Sequence, residues 1–488
     1  MSLTLEKYYT YDDVLIKPKY SEVTSRKKVL LKSKLTKKHT LNIPIISSNM
    51  DTITEDKMAI EMARLGGLGI IHRYCTIDHQ VEMVKKVKRY TNFIINHPYT
   101  INEKSLMGDV LDKIANNNKS LLVIDNNKIL KGIITQRDLI HYNSVGYRKS
   151  PVSLFMTKIS DMITLNKQDI HVLSVDDLIK MLTSNKIQKL PIVERGKLCG
   201  LITLKDMLDR TKRSSFLKPN LDENYQLRVG CAIGVNKDYI ERATEVIRAG
   251  CDIICIDVAH GHHKLCGDAV LKIKTLFPNI DIIAGNVCTA EGVEYLAGCG
   301  ADCVKVGIGP GSICITRRQT GCGAPQLTSV IKCAQAARKL GITIIADGGH
   351  NGSSGNIFKA LCCGASASML GGMVSGTLET PGQVYTKLDK KVKQIRGMAG
   401  IISNFNKAEK LGQNTTNLET MTPEGVEGYV TYKGPVRDII NQICGGLCSG
   451  LSYVGCDNLE HLDPDEIEFI VITGSGYKES GSHGIKEI

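Results

Sequence analysis

Cys314 lies in a glycine-rich segment whose residue types suit covalent catalysis. The segment Gly307–Arg317 reads GIGPGSICITR and directly follows an apolar run, Cys303–Val306, that we predict to be a strand. Glycines let the backbone approach a ligand closely and expose its N–H groups. Arg317 and Arg318 follow the cysteine, and positive neighbours favour the thiolate, which is the nucleophilic form. We therefore predict a reactive thiol here, whereas most of the other cysteines are expected to be buried and inert.

Two glycine pairs are placed where a phosphate could bind. Ala346-Asp347-Gly348-Gly349 and Leu370-Gly371-Gly372-Met373 each contain the end of an apolar run that we predict to be a strand. If the apolar runs of the sequence form a barrel of eight parallel strands, these are the loops after the seventh and eighth strands, which are the usual phosphate site of that fold. Asp347 could accept hydrogen bonds from ribose hydroxyls. Each pair could also be only a tight turn, but two pairs in these two loops favour phosphate binding.

A third polar segment, Asp257–His263, carries three histidines close to an acidic residue. It lacks the i, i+4 histidine pair of a zinc-binding helix, so a polar loop facing a cofactor is favoured over a metal site. The segments Asn49–Thr52 and His72–Tyr74 end two other predicted strands and should face the same side. His72 could equally be a packing residue with its hydrogen bonds satisfied.

The elements that position these residues alternate between apolar runs and amphipathic stretches. Lys237–Ala249, for example, places Ile240, Ala243, Val246 and Ile247 on one helical face. Strand and helix recurring in this way indicate parallel βα units, and eight of them close a (β/α)8 TIM barrel of the α/β class. The predicted strands are Ile43–Ser47, Leu68–Ile71, Val229–Ile233, Ile253–Asp257, Asp281–Ala284, Cys303–Val306, Ile342–Ala346 and Ala367–Leu370.

An internal repeat interrupts the barrel between its second and third predicted strands. Residues 121–125 and 132–139 resemble residues 190–194 and 200–207, with Gly132 and Gly200 lying 68 residues apart. A repeat of this length is a duplicated domain rather than a solenoid. We therefore divide the chain into a first barrel part at residues 1–91, an inserted domain at 92–212 and the remaining barrel at 213–488.

Composition excludes several classes of protein. The chain has 488 residues, 42% hydrophobic and 23% charged, which is ordinary for a globular protein of at least two domains. Aromatic residues reach only 5% and Trp is absent, which argues against a nucleic-acid binder that stacks bases. The net charge of +12 is compatible with an anionic ligand or simply with solubility. Without an apolar signal region or a long apolar span, the 17 cysteines are expected to be reduced thiols of a cytoplasmic protein that does not enter a membrane.

The repeat resembles a tandem pair of cystathionine-β-synthase (CBS) motifs, also called a Bateman domain. The signature with Gly, Thr and a final Asp occurs twice, ending at Asp138 and Asp206. In that family the pair binds adenine or guanine nucleotides, and the resemblance implies that these two aspartates contact ribose. A degenerate spacer that binds nothing remains an equal alternative.

The chain as a whole resembles the IMP dehydrogenase/GMP reductase family. The resemblance runs from Tyr11-Asp12-Asp13-Val14 to Glu479-Ser480, and the segment Gly309–Arg317 is highly specific to that family. The inserted CBS pair also occurs there. In that family a cysteine attacks C2 of the purine, and a nicotinamide cofactor exchanges hydride at that carbon.

The resemblance implies a role for individual residues. Cys314 is the expected nucleophile, and Thr316 with Glu424 is the expected proton-handling pair. The residues expected to bind the GMP or IMP substrate are Ser312, Asp347, Gly348, Gly349, Gly371, Gly372, Gly397, Met398, Ala399 and Gly425. The residues expected at the cofactor are Asp257, Val258, Ala259, Ile308 and Gly309, with Ser25, Arg26 and Arg73 near the extra phosphate of NADPH.

A potassium ion is also implied by the resemblance. Its expected ligands are in the catalytic loop, at Gly309, Gly311, Cys314 and Arg317, together with Glu479 and Ser480 of a neighbouring subunit. The family assembles as a homotetramer, and whether two tetramers pair into an octamer stays open.

The two branches of the family differ in what resolves the cysteine adduct. The dehydrogenase hydrolyses it with water, using an Arg-Tyr pair on a flap, and the reductase instead releases ammonia and takes hydride from NADPH. The flap should lie between Arg396 and Pro423, and the segment from Gly397 to Val436 contains no Arg. A lysine such as Lys407 or Lys410 lacks the geometry of a guanidinium. This favours GMP reductase.

Other features leave the dehydrogenase open as the alternative. Residues 423–428 and 432–435, and the length of the flap, resemble IMP dehydrogenase, and Met421 replaces an Arg of the usual reductase flap. The dehydrogenase would use NAD rather than NADPH. A third hypothesis, a nucleotide sensor with a vestigial barrel, is disfavoured because Cys314, Thr316 and Glu424 are all present.

Overall fold

The computed structural model describes residues 5–90, 94–95, 98–115, 120–140, 147–171, 173, 175–205, 207, 218–224, 226–236, 238–400 and 422–482. Contacts divide the chain into two compact units, one formed by residues 1–90 and 216–488 and the other by residues 91–215. The first unit contains a closed barrel of eight parallel strands, in the order that simple βα repetition produces. This confirms the predicted (β/α)8 fold.

The barrel strands alternate with helices along the chain. The strands are β1 (Ile45–Ser47), β2 (Leu68–Ile71), β3 (Gly230–Ile233), β4 (Ile253–Asp257), β5 (Asp281–Val287), β6 (Cys303–Val306), β7 (Thr343–Asp347) and β8 (Ala367–Leu370). The helices around them are α1 (Asp56–Arg64), α2 (Ile77–Arg89), α3 (Tyr239–Arg248), α4 (Lys264–Leu276), α5 (Ala290–Gly298), α6 (Gln326–Leu340), α7 (Ser354–Cys362) and α8 (Val436–Tyr453).

The predicted strand boundaries differ from the observed ones by up to three residues. The first strand begins at Ile45 rather than Ile43, because Pro44 has no N–H to donate to a ladder. The fifth runs on to Val287, past the predicted end at Ala284, since Val287 still pairs with Val306 after a shift of register. Boundaries depend on pairing across the sheet, which a single segment of sequence does not contain.

Two apolar layers hold the barrel together. Its interior is filled by alternating strand residues such as Ile46, Ile70, Cys255 and Ile345, all of them fully buried. The other strand faces pack against the surrounding helices in a larger cluster, to which α3 contributes Ala243 and Val246. Because both faces are covered, the strands are almost continuously apolar, as the sequence predicted.

Further strands close the ends and edges of this unit. The hairpin Ser33–Lys34 with Thr40–Leu41 places Leu35 and Leu41 in the interior cluster, and Val14–Ile16 pairs with Phe469–Val471. After β8 come β9 (Tyr385–Lys387), β10 (Lys390–Arg396) and β11 (Glu427–Thr431), which form a three-stranded antiparallel sheet. A short helix, Thr316–Thr320, follows the catalytic loop, and another, Gly474–Glu479, lies near the C-terminus.

The second unit contains two four-stranded sheets of similar construction. One orders Thr157–Lys158, Leu130–Thr135, Ser120–Ile124 and Thr100–Asn102; the other orders Leu165–Asn166, Lys189–Glu194, Lys197–Thr203 and Ile94–Ile95. The central hairpin of each sheet carries a register shift at a matching place, at Val123/Ile124 and at Ile192/Val193. The described part of the second unit also contains the helices Met107–Ala115, Gln136–Ile140 and Val175–Ser184. The repeated sequence therefore folds into repeated structure.

Candidate active site

The loop after β6 holds the predicted nucleophile beside a hydroxyl. Cys314 is half-buried, and its Sγ lies 3.1 Å from Oγ1 of Thr316. The backbone N–H of Cys314 donates to the carbonyl of Gly311 at 3.1 Å. Thr316 begins the short helix that follows, so the end of the loop is fixed next to the thiol. A thiol and a hydroxyl in hydrogen-bond contact can exchange a proton during nucleophilic attack.

The segment around Glu424 is joined to this loop through the backbone. The N–H of Ile315 donates to the carbonyl of Glu424 at 2.8 Å, and the N–H of Val426 donates to the carbonyl of Ile313 at 3.0 Å. Cys314 and Gly425 therefore face each other as a β-bridge. The three predicted catalytic residues, Cys314, Thr316 and Glu424, are brought together.

The glycine turns meet around the same loop. Gly349 donates its N–H to the carbonyl of Pro310 at 3.2 Å. A Cβ on Gly348 would lie 3.3 Å from the nitrogen of Gly311, and one on Gly372 would lie 2.6 Å from Oγ of Ser312. Gly348 and Gly349 also adopt φ angles of +85° and +80°, which favour glycine. The glycine-rich loops after β6, β7 and β8 thus lie against one another, and main chain of this kind in these loops is typical of a phosphate site.

Two contacts hold the Gly397–Ala399 segment against the end of β1 and the loop after β2. The hydroxyl of Tyr74 donates to the carbonyl of Met398 at 2.9 Å. Arg396 binds the buried carboxylate of Asp51 through Nε and Nη2, at 2.8 and 2.6 Å. Gly397 in turn packs closely against Gly425, since a Cβ built on Gly397 would lie 2.9 Å from the Cα of Gly425. These contacts bring the predicted purine-binding segment to Cys314.

Lys305 is a site residue that sequence reasoning missed. It lies in β6 with its side chain 3% exposed, and its ammonium contacts Asp257 Oδ1 at 2.8 Å and Asp347 Oδ2 at 2.9 Å. The amide of Asn286 donates to the same oxygen of Asp347 at 2.9 Å and to the carbonyl of Gly307 at 2.7 Å. The signal in the sequence was a single Lys inside the apolar run Cys303–Val306.

The charges of this cluster control its protonation. Burial would raise the pKa of Asp257, but the charge and hydrogen bond of Lys305, with the charge of Arg73, hold it below its ordinary value. Burial would likewise lower the pKa of Lys305, but the charges of Asp257 and Asp347 raise it. Asp257 and Lys305 therefore form a charged pair near neutral pH, and Lys305 joins the predicted cofactor residue to the predicted ribose residue, Asp347.

Arg73 lies near the predicted cofactor segment. Its guanidinium carbon is 5.3 Å from the centre of the Tyr74 ring, and a Cβ on Gly234 would be 3.2 Å from its Nη1. Its charge also acts on Asp257. Val258 donates its N–H to the carbonyl of Gly285 at 2.9 Å, which fixes the chain that leads to Ala259. The arrangement leaves an arginine at one side of the site, where a phosphate could be bound.

Ser25 and Arg26 lie elsewhere. Arg26 donates to Ser452 at 3.3 Å and stacks over Tyr453, at the C-terminal end of α8. Helices of this fold run antiparallel to the strands, so that end is opposite to the loop of Cys314. The prediction that this pair lies near Arg73 is therefore wrong within a single chain, because Arg26 finds its aromatic and hydroxyl partners at the other end of the barrel.

The histidines of residues 260–263 have structural partners. His263 is the N-cap of α4 and accepts a hydrogen bond from the N–H of Leu265, and His262 packs against Tyr295 with ring centres 5.2 Å apart. Among the residues that the structure describes, no group of three or more His, Cys, Asp or Glu could hold a metal ion. His72 is buried and accepts a hydrogen bond from the N–H of Tyr74, a packing arrangement.

The predicted potassium ligands fall into two places. Gly309 has a φ of +79°, and Arg317 supports the loop by donating to the carbonyls of Ile308, at 3.0 Å, and Ala324. The loop thus offers main-chain carbonyls, the donor type that a hard monovalent cation prefers. Glu479 and Ser480 are exposed at the end of the helix Gly474–Glu479, whose contacts include residues 11–13. These contacts are with the N-terminal segment of the same chain, whereas the predicted role of Glu479 and Ser480 concerns a neighbouring subunit.

Of the two aspartates predicted to contact a regulatory nucleotide, the structure describes only Asp138. The carboxylate of Asp138 accepts hydrogen bonds from the N–H and hydroxyl of Thr135, at 2.7 and 2.9 Å. Asp206 lies outside the described residues, as does the flap from 401 to 421 with Lys407, Lys410 and Met421.

No helix in the described ranges is both long enough and apolar enough to cross a membrane.

A family model described as IMP dehydrogenase / GMP reductase domain matches residues 8–483. The chain is 44% identical to an inosine-5′-monophosphate dehydrogenase of Aquifex aeolicus, over 98% of this chain and 95% of that protein. It is 41% identical to a GMP reductase of Leishmania major, over 99% of this chain and 98% of that protein.

A solved structure is similar over the same length. It is a cysteine-to-alanine variant of GMP reductase from Trypanosoma brucei in complex with guanosine 5′-monophosphate, with a TM-score of 0.83 and 40% identity over 99% of each chain. Because the family model matches nearly the whole chain and these relatives are at least 40% identical over their full length, the chain belongs to the IMP dehydrogenase/GMP reductase family.

Proposed function

We propose that the protein is a GMP reductase, which converts GMP to IMP and ammonia at the expense of NADPH. The observation that carries this choice is the composition of the flap. Between Gly397 and Val436 the sequence contains no Arg, so the guanidinium base that activates water in the dehydrogenase branch is missing. The reductase needs no such base, because ammonia leaves and no water is added.

The chemistry starts at the thiol of Cys314. Its sulfur forms a bond to C2 of the purine, and the exocyclic amine leaves as ammonia after taking up a proton. Thr316, 3.1 Å from the sulfur, and Glu424, joined to the same loop through Ile315, are the groups that would pass that proton. NADPH, when bound, supplies the hydride that C2 receives. The carbon–sulfur bond then breaks, which returns the thiolate and releases IMP.

The remaining residues would bind and orient the two ligands. The backbone surface of Gly348, Gly349, Gly371 and Gly372, with Ser312, is suited to the 5′-phosphate. Asp347 would accept from the ribose, and Lys305 holds it next to Asp257 on the cofactor side. Gly397, Met398, Ala399 and Gly425 would contact the base. The guanidinium of Arg73 is suited to the extra phosphate of NADPH, because a guanidinium can bind a phosphate through two hydrogen bonds.

IMP dehydrogenase, which would oxidise IMP with NAD and water to XMP, is the second candidate. It is favoured by residues 423–428 and 432–435, which resemble that branch, and by the 44% identity to the Aquifex aeolicus protein. A sensor without catalysis is a weaker third candidate, since Cys314 and Thr316 are in contact.

Several further properties are part of the proposal. The second unit would act as a tandem CBS domain that binds purine nucleotides, with Asp138 and Asp206 on ribose. The carbonyls of Gly309, Gly311 and Cys314, with Arg317, would bind K+, completed by Glu479 and Ser480 of a neighbouring subunit. The enzyme would be cytoplasmic and a homotetramer that could pair into an octamer, with no nucleic-acid or membrane partner.

One experiment separates the two branches. The purified protein is incubated with GMP and NADPH, and separately with IMP and NAD, while absorbance of the reduced cofactor is followed. Oxidation of NADPH with release of ammonia is expected in the first mixture. Reduction of NAD in the second, without activity in the first, would establish the dehydrogenase instead.

A further inference from the structure

Lys433 contacts the glycine loop proposed to bind phosphate. It follows β11 by two residues, and its Nζ lies 3.1 Å from the carbonyl oxygen of Gly372 and 3.0 Å from that of Met373. Its backbone N–H donates to the carbonyl of Gly376 at 2.9 Å, so the main chain and the side chain of Lys433 both bind the segment that follows β8. Lys433 is not among the residues assigned above to the substrate, the cofactor or the potassium ion.

The contacts orient two successive peptide groups. In a planar trans peptide, a carbonyl and the N–H of the next residue point in opposite directions. With the carbonyls of Gly372 and Met373 directed at Lys433, the N–H groups of Met373 and Val374 point away from it. The N–H of Val374 donates to the carbonyl of Gly371 within the loop, at 3.2 Å, so the N–H of Met373 is the one this orientation turns toward a ligand. The ammonium therefore draws carbonyl oxygens, which would repel a phosphate, to one side of the loop.

Among the residues that the structure describes, none forms an ion pair with Lys433, whose side chain is exposed. Lys305 differs, since two carboxylates contact it. A cation with no acidic partner in the described part of the chain lies next to Gly372, which itself lies against Ser312, and its charge raises the local potential where an anion would bind.

We propose that Lys433 is a positioning residue for the 5′-phosphate, which holds the carbonyls of Gly372 and Met373 away from the phosphate and contributes a compensating charge. This inference rests on the proposed function only in that a purine nucleoside monophosphate is the substrate. Lys433 also lies nine residues after Glu424, and β11 is between them. The contact of Lys433 with the glycine loop therefore connects the proposed phosphate site to the strand that leads back to the proton-handling residue.

The test compares ligands with and without the phosphate. Binding of GMP and of guanosine is measured by calorimetry for wild type, K433M and K433R. We expect K433M to weaken GMP binding on the order of tenfold, which is the loss of one charge-assisted hydrogen-bonding group. Guanosine should bind with unchanged affinity, and K433R should stay close to wild type for both ligands because it retains the charge.

A neighbouring lysine supplies the control. Lys391 is exposed on β10, and its carbonyl accepts from Tyr432, so K391M changes the net charge equally without touching the glycine loop. It should bind GMP like wild type. Equal weakening of GMP and guanosine by K433M, or unchanged GMP binding, would overturn the proposal. If K433M does not fold, as judged by thermal unfolding, K433Q is measured under the same criteria.

The readout also separates this inference from the assignment of the reaction. Binding is measured without turnover, and IMP against inosine gives the same comparison if the protein proves to be a dehydrogenase. A wild type that fails to reduce GMP therefore contradicts the proposed function alone.

Discussion

The ammonium of Lys305 lies between Asp257 and Asp347, 2.8 Å from one carboxylate and 2.9 Å from the other. Asp257 ends β4 and Asp347 ends β7, so a residue of β6 joins strands that are not neighbours in the sheet. The carboxylate predicted to face the cofactor and the one predicted to face ribose are thus held at a fixed separation. Removing the ammonium would leave both carboxylates uncompensated.

We therefore expect K305M to lose both stability and activity. Breaking a buried ion pair by removing one partner costs about 3 kcal/mol or more, because the other charge stays buried. The free energy of unfolding, from denaturant titration, should fall by about that amount, and kcat/KM should fall more than tenfold.

Lys88 provides a matched control for this variant. It is also a buried lysine between two aspartates, 2.9 Å from Asp222 and 2.7 Å from Asp252, but it lies at the end of α2 and far along the chain from the catalytic loop. K88M should be destabilised to a similar degree with kcat unchanged. Loss of activity in K88M equal to that of K305M would mean that lowered stability alone explains both.

The pH dependence of this cluster has a definite sign. The pKa of Asp257 is held below its ordinary value in the folded protein, so its contribution is present above the unfolded pKa near 4 and is lost as the pH falls through the folded pKa. In K305M, burial acts without the opposing charge and raises that pKa instead. Acidification then stabilises the variant relative to wild type. The difference in unfolding free energy between the two should shrink between pH 7 and pH 5; a difference that grows would contradict the assignment.

Cys314→Ser should abolish turnover and leave nucleotide binding intact. A thiolate is a far better nucleophile than a serine hydroxyl near neutral pH. The expected loss in kcat is at least ~10³-fold, by comparison with the removal of other enzymatic nucleophiles. Turnover is followed by NADPH absorbance and GMP binding by calorimetry. Near-wild-type turnover would rule out the covalent mechanism.

Arg73 should make the enzyme prefer NADPH to NADH. In R73M, kcat/KM for NADPH should fall on the order of tenfold, which corresponds to one lost charge-assisted contact, with little change for NADH. Arg64 also stacks over a tyrosine, Tyr90 at 5.4 Å, but is paired with Glu61, so R64M is the control. Equal kcat/KM for the two cofactors in wild type would count against this role and against the reductase.

Deleting Asn92–Lys212 with a short Gly/Ser bridge should leave an active barrel. The barrel residues that flank the insert are anchored independently of it: Asn220 donates to the carbonyl of Gly67 at 3.0 Å, and Asn42 to that of Lys218 at 3.0 Å. Domain insertions occur where few contacts cross. We expect kcat of the same order of magnitude as full length.

The same deletion should remove any response to purine nucleotides, because an effector acts only through a site with different affinity for two states. ATP and GTP are titrated into both proteins during turnover. A folded but inactive deletion variant would mean that the insert builds part of the active site, and an undiminished response would place the regulatory site on the barrel.

The sequence predicted those parts of the fold in which the hydrophobic pattern of a segment and its motif indicate the same element. The apolar runs predicted the barrel because strands covered on both faces leave a continuous signal, and the glycine turns coincide with the ends of β7 and β8. It missed Lys305, since a lone lysine in an apolar run is interpretable only when the partners from distant strands are known. It misplaced Arg26 because stacking on Tyr453 joins residues more than 400 positions apart.

The two ends of the flap are already joined to each other. Gly397 donates to the carbonyl of Val426 at 2.9 Å, and Glu424 donates to that of Ala399 at 3.1 Å. The entropy lost on closing a loop grows only slowly with the length of the loop. Here the two backbone hydrogen bonds at the base of the flap offset that loss, whatever residues lie between them. Insertions, deletions and substitutions within the flap can accumulate during evolution without displacing Cys314. A family in which one barrel performs either hydrolysis or reduction could diversify through that single interchangeable segment.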